Sequence, residues 1–105
     1  MIVTLFPFSL SAGAAPDLAE VFRRHRILEM ASEVEGCRGV YLAGADAADA
    51  DHAYAVGLWD DEVAYQRWID HPQRGVATDD IQALLRTSGE LDAPGQVLTV
   101  LHAPD

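Results

Sequence analysis

The sequence predicts a single α+β domain in the order β-α-β-β-α-β, with an antiparallel sheet and its helices on one face. Three observations carry this expectation. The chain has 105 residues, half of them apolar, which suits one domain with a small core. Runs of β-branched and aromatic residues at strand length fall at both ends and in a central pair, with helix-length stretches between them. Both helical stretches carry start and stop signals: Pro16-Asp17 and Gly36 for the first, Asp60-Asp61-Glu62 and His71-Pro72 for the second.

Ile2 to Leu10 is read as the first strand. Small residues follow it, as after a signal peptide, but it lacks a basic start and Pro7 interrupts the apolar run, so a strand is expected instead. Pro7 donates no ladder hydrogen bond, which implies an exposed edge or a bulge there. Ser11 to Pro16 is a turn, and a helix is expected from Asp17 to Glu35. Its apolar residues form two stripes. Leu18, Val21 and Phe22 point one way with His25, and Ile27, Met30, Ala31 and Val34 point nearly opposite, so the helix is either covered on two sides or, the favoured expectation, bent or broken near Arg24 to Arg26. Gly39 to Ala43 and Ala53 to Trp59 read as paired strands joined by a polar loop over 44–51. A second helix spans Asp60 to Asp70. A short one spans Ile81 to Ser88, capped by Thr78, Asp79 or Asp80. After a turn over 91–95, Gln96 to His102 makes the last strand.

Charge narrows the partners. Seventeen acids against seven bases give −10, which argues against nucleic acid and anionic membranes. No stretch reaches the roughly 18 apolar residues of a membrane span. Cys37 is alone, so no intrachain disulfide forms and a cytoplasmic location is expected. There is no cysteine-histidine cluster with metal spacing, no glycine-rich phosphate loop and no serine nucleophile elbow. Asp46, Asp49 and Asp51 lack the spacing of a calcium loop. A sheet with one helix-covered face leaves an apolar face to fill, so a homodimer is expected, with Val97, Leu98, Val100 and Leu101 in or beside the contact.

From Gly57 to Pro72 the chain reads Gly-Leu-Trp-Asp-Asp-Glu-Val-Ala-Tyr-Gln-Arg-Trp-Ile-Asp-His-Pro, and Glu35 to Tyr41 reads Glu-Gly-Cys-Arg-Gly-Val-Tyr. In these motifs it resembles the antibiotic biosynthesis monooxygenase family. The resemblance implies a ferredoxin-like fold assembled as a dimeric α/β barrel, and a family range from quinone-forming oxygenases to haem-degrading enzymes, isomerases and cyclases. Trp59 and Tyr65 correspond to residues of the polyketide-oxidising members, whose asparagine four residues before the tryptophan is replaced here by Ala55. The haem-degrading members carry a histidine where this chain has Thr78. Relatives with a His-Pro-x-His motif keep its first histidine at His71, whereas the second is Arg74.

Alternation along the central strand puts Ala53, Ala55, Gly57 and Trp59 on one face, and small residues beside a large indole predict a slot for a flat ligand. The alternative is close packing of a helix over Ala55 and Gly57. His25 is a candidate base, since an imidazole titrates near neutrality, although structural histidines are commoner. Trp59 and Tyr65 complete the expected catalytic set as pocket wall and hydroxyl donor. Ala55, Gly57, Trp68, His71 and Arg74 are the expected substrate contacts, with core packing (Trp68), a helix stop (His71) and a solvated loop (Arg74) as plainer roles. The expected activity is a cofactor-free monooxygenase for an aromatic polyketide-like or quinol-like small molecule. A cyclase or isomerase working without O₂, and a non-catalytic binding protein, stay open.

Overall fold

A computed structural model describes residues 1–44, 51–85 and 95–104. In chain order its elements are β1 (Ile2–Ser9), α1 (Ala15–Arg24), α2 (Ile27–Ser32), β2 (Cys37–Gly44), β3 (His52–Trp59), α3 (Glu62–Ile69), α4 (Thr78–Gln82) and β4 (Gln96–Thr99). The four strands form one antiparallel sheet in the order β2-β3-β1-β4, the ferredoxin-like arrangement. β1 and β3 are the inner pair and run antiparallel over their whole length, from Ile2 opposite Trp59 to Ser9 opposite His52. Pro7 is exposed opposite Tyr54, beyond the end of β4, which stops at Gln96 opposite Leu5. Its missing donor therefore costs no ladder bond to β4.

Residues two apart on a strand share a face, and the two faces differ here. The inner face carries Thr4, Phe6 and Phe8 of β1 beside Ala53, Ala55, Gly57 and Trp59 of β3. The helices close over it through Leu18, Val21, Phe22, Ile27, Ala31, Ala64 and Ile81. Phe8 meets Phe22 edge-on at 5.9 Å between centroids, which joins β1 to α1. The opposite face carries Val3, Leu5, Tyr41, Tyr54, Val56, Leu58 and Leu98, with no helix over it among the described residues.

The first helical stretch is two helices. α1 ends at Arg24, Arg26 takes a left-handed conformation at φ 54°, and α2 starts at Ile27. The two apolar stripes explain the break: turning the axis at Arg26 lets Leu18, Val21 and Phe22 face the core along with Ile27 and Ala31. Regular helix stops at Ser32, earlier than the expected Glu35, and a turn runs to Gly36 at φ +92°. α3 starts two residues later than Asp60, because Asp61 is its N-cap and accepts from the Ala64 amide at 2.9 Å. α4 covers Thr78–Gln82, so Thr78, Asp79 and Asp80 form its first turn instead of capping a helix at Ile81. The expected segments over 45–50, 86–88 and 91–94 lie outside the described residues. β2 is longer than expected and bulges at Arg38, whose guanidinium pairs with Asp60.

Gly36 holds the turn between α2 and β2 against α3. Its carbonyl accepts from the Asp60 amide at 2.8 Å, and a Cβ there would lie 2.6 Å from the Ala64 Cβ. Both its positive φ and this contact demand glycine. Gly36→Ala should lower stability by roughly 1–3 kcal/mol. Adding Ala64→Gly should recover only the part due to the clash, leaving the backbone strain, as urea denaturation of both variants would measure.

Candidate functional site

The inner face is not filled everywhere. A partly open cavity of 280 Å³ lies between the sheet and the helices. Thr4, Phe6, Ala55, Gly57 and Trp59 of the sheet form its floor. Phe22, Ile27, Leu28 and Ala31 of α1 and α2 make one wall, and Tyr65, Trp68, Arg74, Thr78, Ile81 and Gln82 make the other. The volume is nearly twice the about 150 Å³ that admits a benzene ring, so the cavity has room for more than a single ring. Ala55 is only half-buried although it faces inward, because what lies above it is cavity.

The chemistry of the floor centres on Trp59. Its side chain is 1 % exposed, and its Nε1–H donates to Thr4 Oγ1 at 2.9 Å. The ring folds back over Gly57: a Cβ at that glycine would lie 2.4 Å from Trp59 Nε1 and 2.8 Å from Thr4 Oγ1. Gly57 is therefore small because the indole needs the space. Only Ala55 keeps the open slot that alternation predicts, and the close cover over Gly57 is a side chain rather than a helix backbone. Tyr65 packs on Trp59 at 5.5 Å between centroids, so the aromatic wall is continuous.

The other candidate positions divide. Trp59, Tyr65, Ala55, Gly57, Trp68 and Arg74 all line the cavity. His25 and His71 do not. The helix break at Arg26 accounts for His25: as the C-cap of α1 it lies at the bend, and its Nε2 is 2.8 Å from Asp80 Oδ2 of α4. Arg24 reaches the same carboxylate at 3.2 Å. Hydrogen bonding to His25, with Arg24 adding to it, lowers the Asp80 pKa below the ordinary carboxylate value. His71 accepts from the Gln73 amide at its Nδ1 and stacks loosely against Trp68, which makes it part of the turn after α3. Arg74 is half-buried at the cavity wall with no ion-pair partner among the described residues. Burial raises the Cys37 pKa, against an opposing hydrogen bond at Gly39, so that thiol stays protonated near neutrality. No group of three metal-binding side chains occurs among the described residues, and none of their helices is long and apolar enough to cross a membrane.

Sequence reasoning missed Thr4. A threonine in a β-branched run looks like an ordinary strand residue, yet alternation with Ile2, Phe6 and Phe8 could have marked it as the one polar group on an inward face.

Two contrasts check this geometry. Ala55→Leu should fold with little loss of stability because its side chain enters open space, whereas Gly57→Ala should cost roughly 1–3 kcal/mol by displacing the indole. Thermal melts of both variants measure the difference. For the clasp between α1 and α4, a depressed carboxylate pKa means stability that is present above the ordinary aspartate range and lost as pH falls through the lowered value. The stability gap between wild type and Asp80→Asn should therefore be full at neutral pH and close in acid, below the ordinary aspartate range, as denaturation at a series of pH values would record.

The profile of the antibiotic biosynthesis monooxygenase family matches residues 1–79. No curated protein sequence is significantly similar to the chain. Among solved structures, a candidate antibiotic biosynthesis monooxygenase from Deinococcus radiodurans superposes with a TM-score of 0.73 at 18% identity, covering 100% of this chain and 97% of its own. SnoaB, a cofactor-independent oxygenase from Streptomyces nogalater, gives 0.67 at 18% identity over 97% of this chain and 94% of its own. Rv0793 from Mycobacterium tuberculosis gives 0.59 at 16% identity, covering 100% and 97% respectively. These likenesses agree with the sheet order and the helix-covered face, and with the family profile they lead to one conclusion: the chain belongs to the antibiotic biosynthesis monooxygenase family.

Proposed function

We propose that this protein is a cofactor-free monooxygenase that oxidises a flat, electron-rich aromatic of the polyketide or quinol type in the cavity beside Trp59. The observation that carries the reading is the cavity itself, an aromatic-walled slot over Ala55 with a few convergent polar groups and one cation, Arg74. Family membership and the likeness to a cofactor-independent oxygenase support the reaction type.

The chemistry asks little of the protein. A dihydroxyanthrone such as dithranol gives up a proton to water at the open side of the cavity, and its anion supplies the electrons to O₂. The ring CH₂ becomes a carbonyl as one oxygen atom enters the product and the other leaves as water. The protein's part is to bind the ring, exclude bulk water and stabilise negative charge on the substrate oxygen. Arg74 favours that anion electrostatically, and Tyr65 offers a hydroxyl at the wall. No carboxylate or imidazole lines the cavity among the described residues, so we assign to Arg74 the stabilisation of the substrate anion, with water as the proton acceptor, and leave His25 to the clasp with Asp80. Alanine in place of the oxygenases' asparagine at position 55 favours a second reading, cyclisation or isomerisation in the same cavity.

We also propose a homodimer joined through the uncovered sheet face. Tyr41, Tyr54 and Leu98 are 58 %, 41 % and 47 % exposed there, and a large exposed apolar face on a small domain is a place for a partner. Val97 pairs with Thr4 on the inner side, so Leu98 is the apolar residue of β4 that points to this face, beside Gln96.

Dithranol offered in air should yield the quinone with matching O₂ consumption, and Arg74→Leu should lower kcat/KM by at least about tenfold, the loss of one charge-assisted contact. Conversion of a poly-β-ketone under nitrogen would instead indicate a cyclase, and binding without turnover a carrier. Sedimentation at micromolar concentration should give a dimer that Leu98→Asp dissociates; a wild-type monomer would end the assembly proposal.

A further inference from the structure

We infer that Thr4 is the hydrogen-bond donor at the floor of the cavity, and that it selects aromatic ligands bearing a carbonyl or phenolate oxygen. This deepens the oxygenase reading and rests on it for the class of ligand. Thr4 is 5 % exposed and lines the cavity. Its Oγ1 already accepts the Trp59 indole N–H at 2.9 Å, and its own hydrogen has no acceptor among the described residues. A hydroxyl both accepts and donates, and a buried donor left unused is costly. The space beside it is the cavity, so an oxygen of the occupant completes the pair.

Two features suit this donor to the task. Accepting from the indole polarises the hydroxyl and makes it a stronger donor, as in any chain of hydrogen bonds at low dielectric. Its position is also defined, since the indole engages one side of the oxygen, and Gly57, directly opposite in the β1–β3 register, leaves the space that the hydroxyl and the indole share. Thr4 thus offers a polar contact on the same floor as Ala55, whose methyl group can make none. The ligand oxygen lies at the Thr4 end of the slot, and the rings extend over Ala55.

Calorimetric titration of the intact protein with danthron, a dihydroxyanthraquinone, and with anthracene, which has the same rings without oxygen, tests the assignment. Thr4→Val should weaken danthron binding roughly 10- to 100-fold, the range for a hydrogen bond to a charged or strongly polar oxygen. Anthracene binding should be unchanged, and Thr4→Ser should retain most of the danthron affinity. Because Thr4→Val also strands the indole N–H, the comparison is repeated in a Trp59→Phe background, where that N–H is gone and only the ligand contact is at stake. Equal danthron binding by wild type and Thr4→Val overturns the role of Thr4 and leaves the cavity reading standing. Parallel loss of both ligands means that Thr4 only shapes the floor, which also overturns it. Failure of wild type to bind either compound overturns the cavity reading and this inference together.

Discussion

The indole of Trp59, folded over Gly57 and bonded to Thr4, joins the two inner strands on the face where the helices pack. Three residues have to agree for it to form. Gly57 gives up its side chain, Thr4 supplies a polar acceptor among the apolar inward residues of β1, and Trp59 ends β3 with its ring turned back along the strand. Burying so large a ring contributes strongly to a small core, and pairing its N–H removes the penalty that an orphan donor would carry. Tyr65 then packs on the ring, which sets α3 against the sheet. What is left open beside this assembly is the space over Ala55.

The helices are arranged around the same space. A straight helix from Ala15 to Ser32 could not turn both of its apolar stripes to one sheet. The left-handed Arg26 breaks it, so residues of both α1 and α2 face the sheet. The break also brings Arg24 and His25 onto Asp80, adding polar contacts between α1 and α4 beside the core that Leu18, Val21, Phe22 and Ile81 share. These groups are partly exposed, so the clasp adds modestly to stability.

Much of the fold was legible because it depends on local signals. Pro16, Gly36 and the acids at 60–62 punctuate the chain, and the opposed stripes around His25 foretold the break. The alternation of Ala53, Ala55, Gly57 and Trp59 identified the inner face of β3. What could not be read was the direction of side chains at irregular positions. His25 shares a helical face with Leu18 and Phe22, which suggested an inward ring, but the backbone turn at Arg26 sends it to Asp80 instead. Gly57 suggested an empty slot, whereas a residue two positions along the same strand fills it. The first depends on a single unusual dihedral and the second on the bond to Thr4, 55 residues away, that holds the indole there, and no periodicity encodes either.

The most direct measurement of the central claim is a crystal structure of the protein with danthron bound. The account predicts the ring system lying over Ala55 between the Tyr65 and Arg74 walls, with one ligand oxygen within hydrogen-bond distance of Thr4 Oγ1. Danthron bound elsewhere, or seated in the cavity with its oxygens turned away from both Thr4 and Arg74, would contradict it.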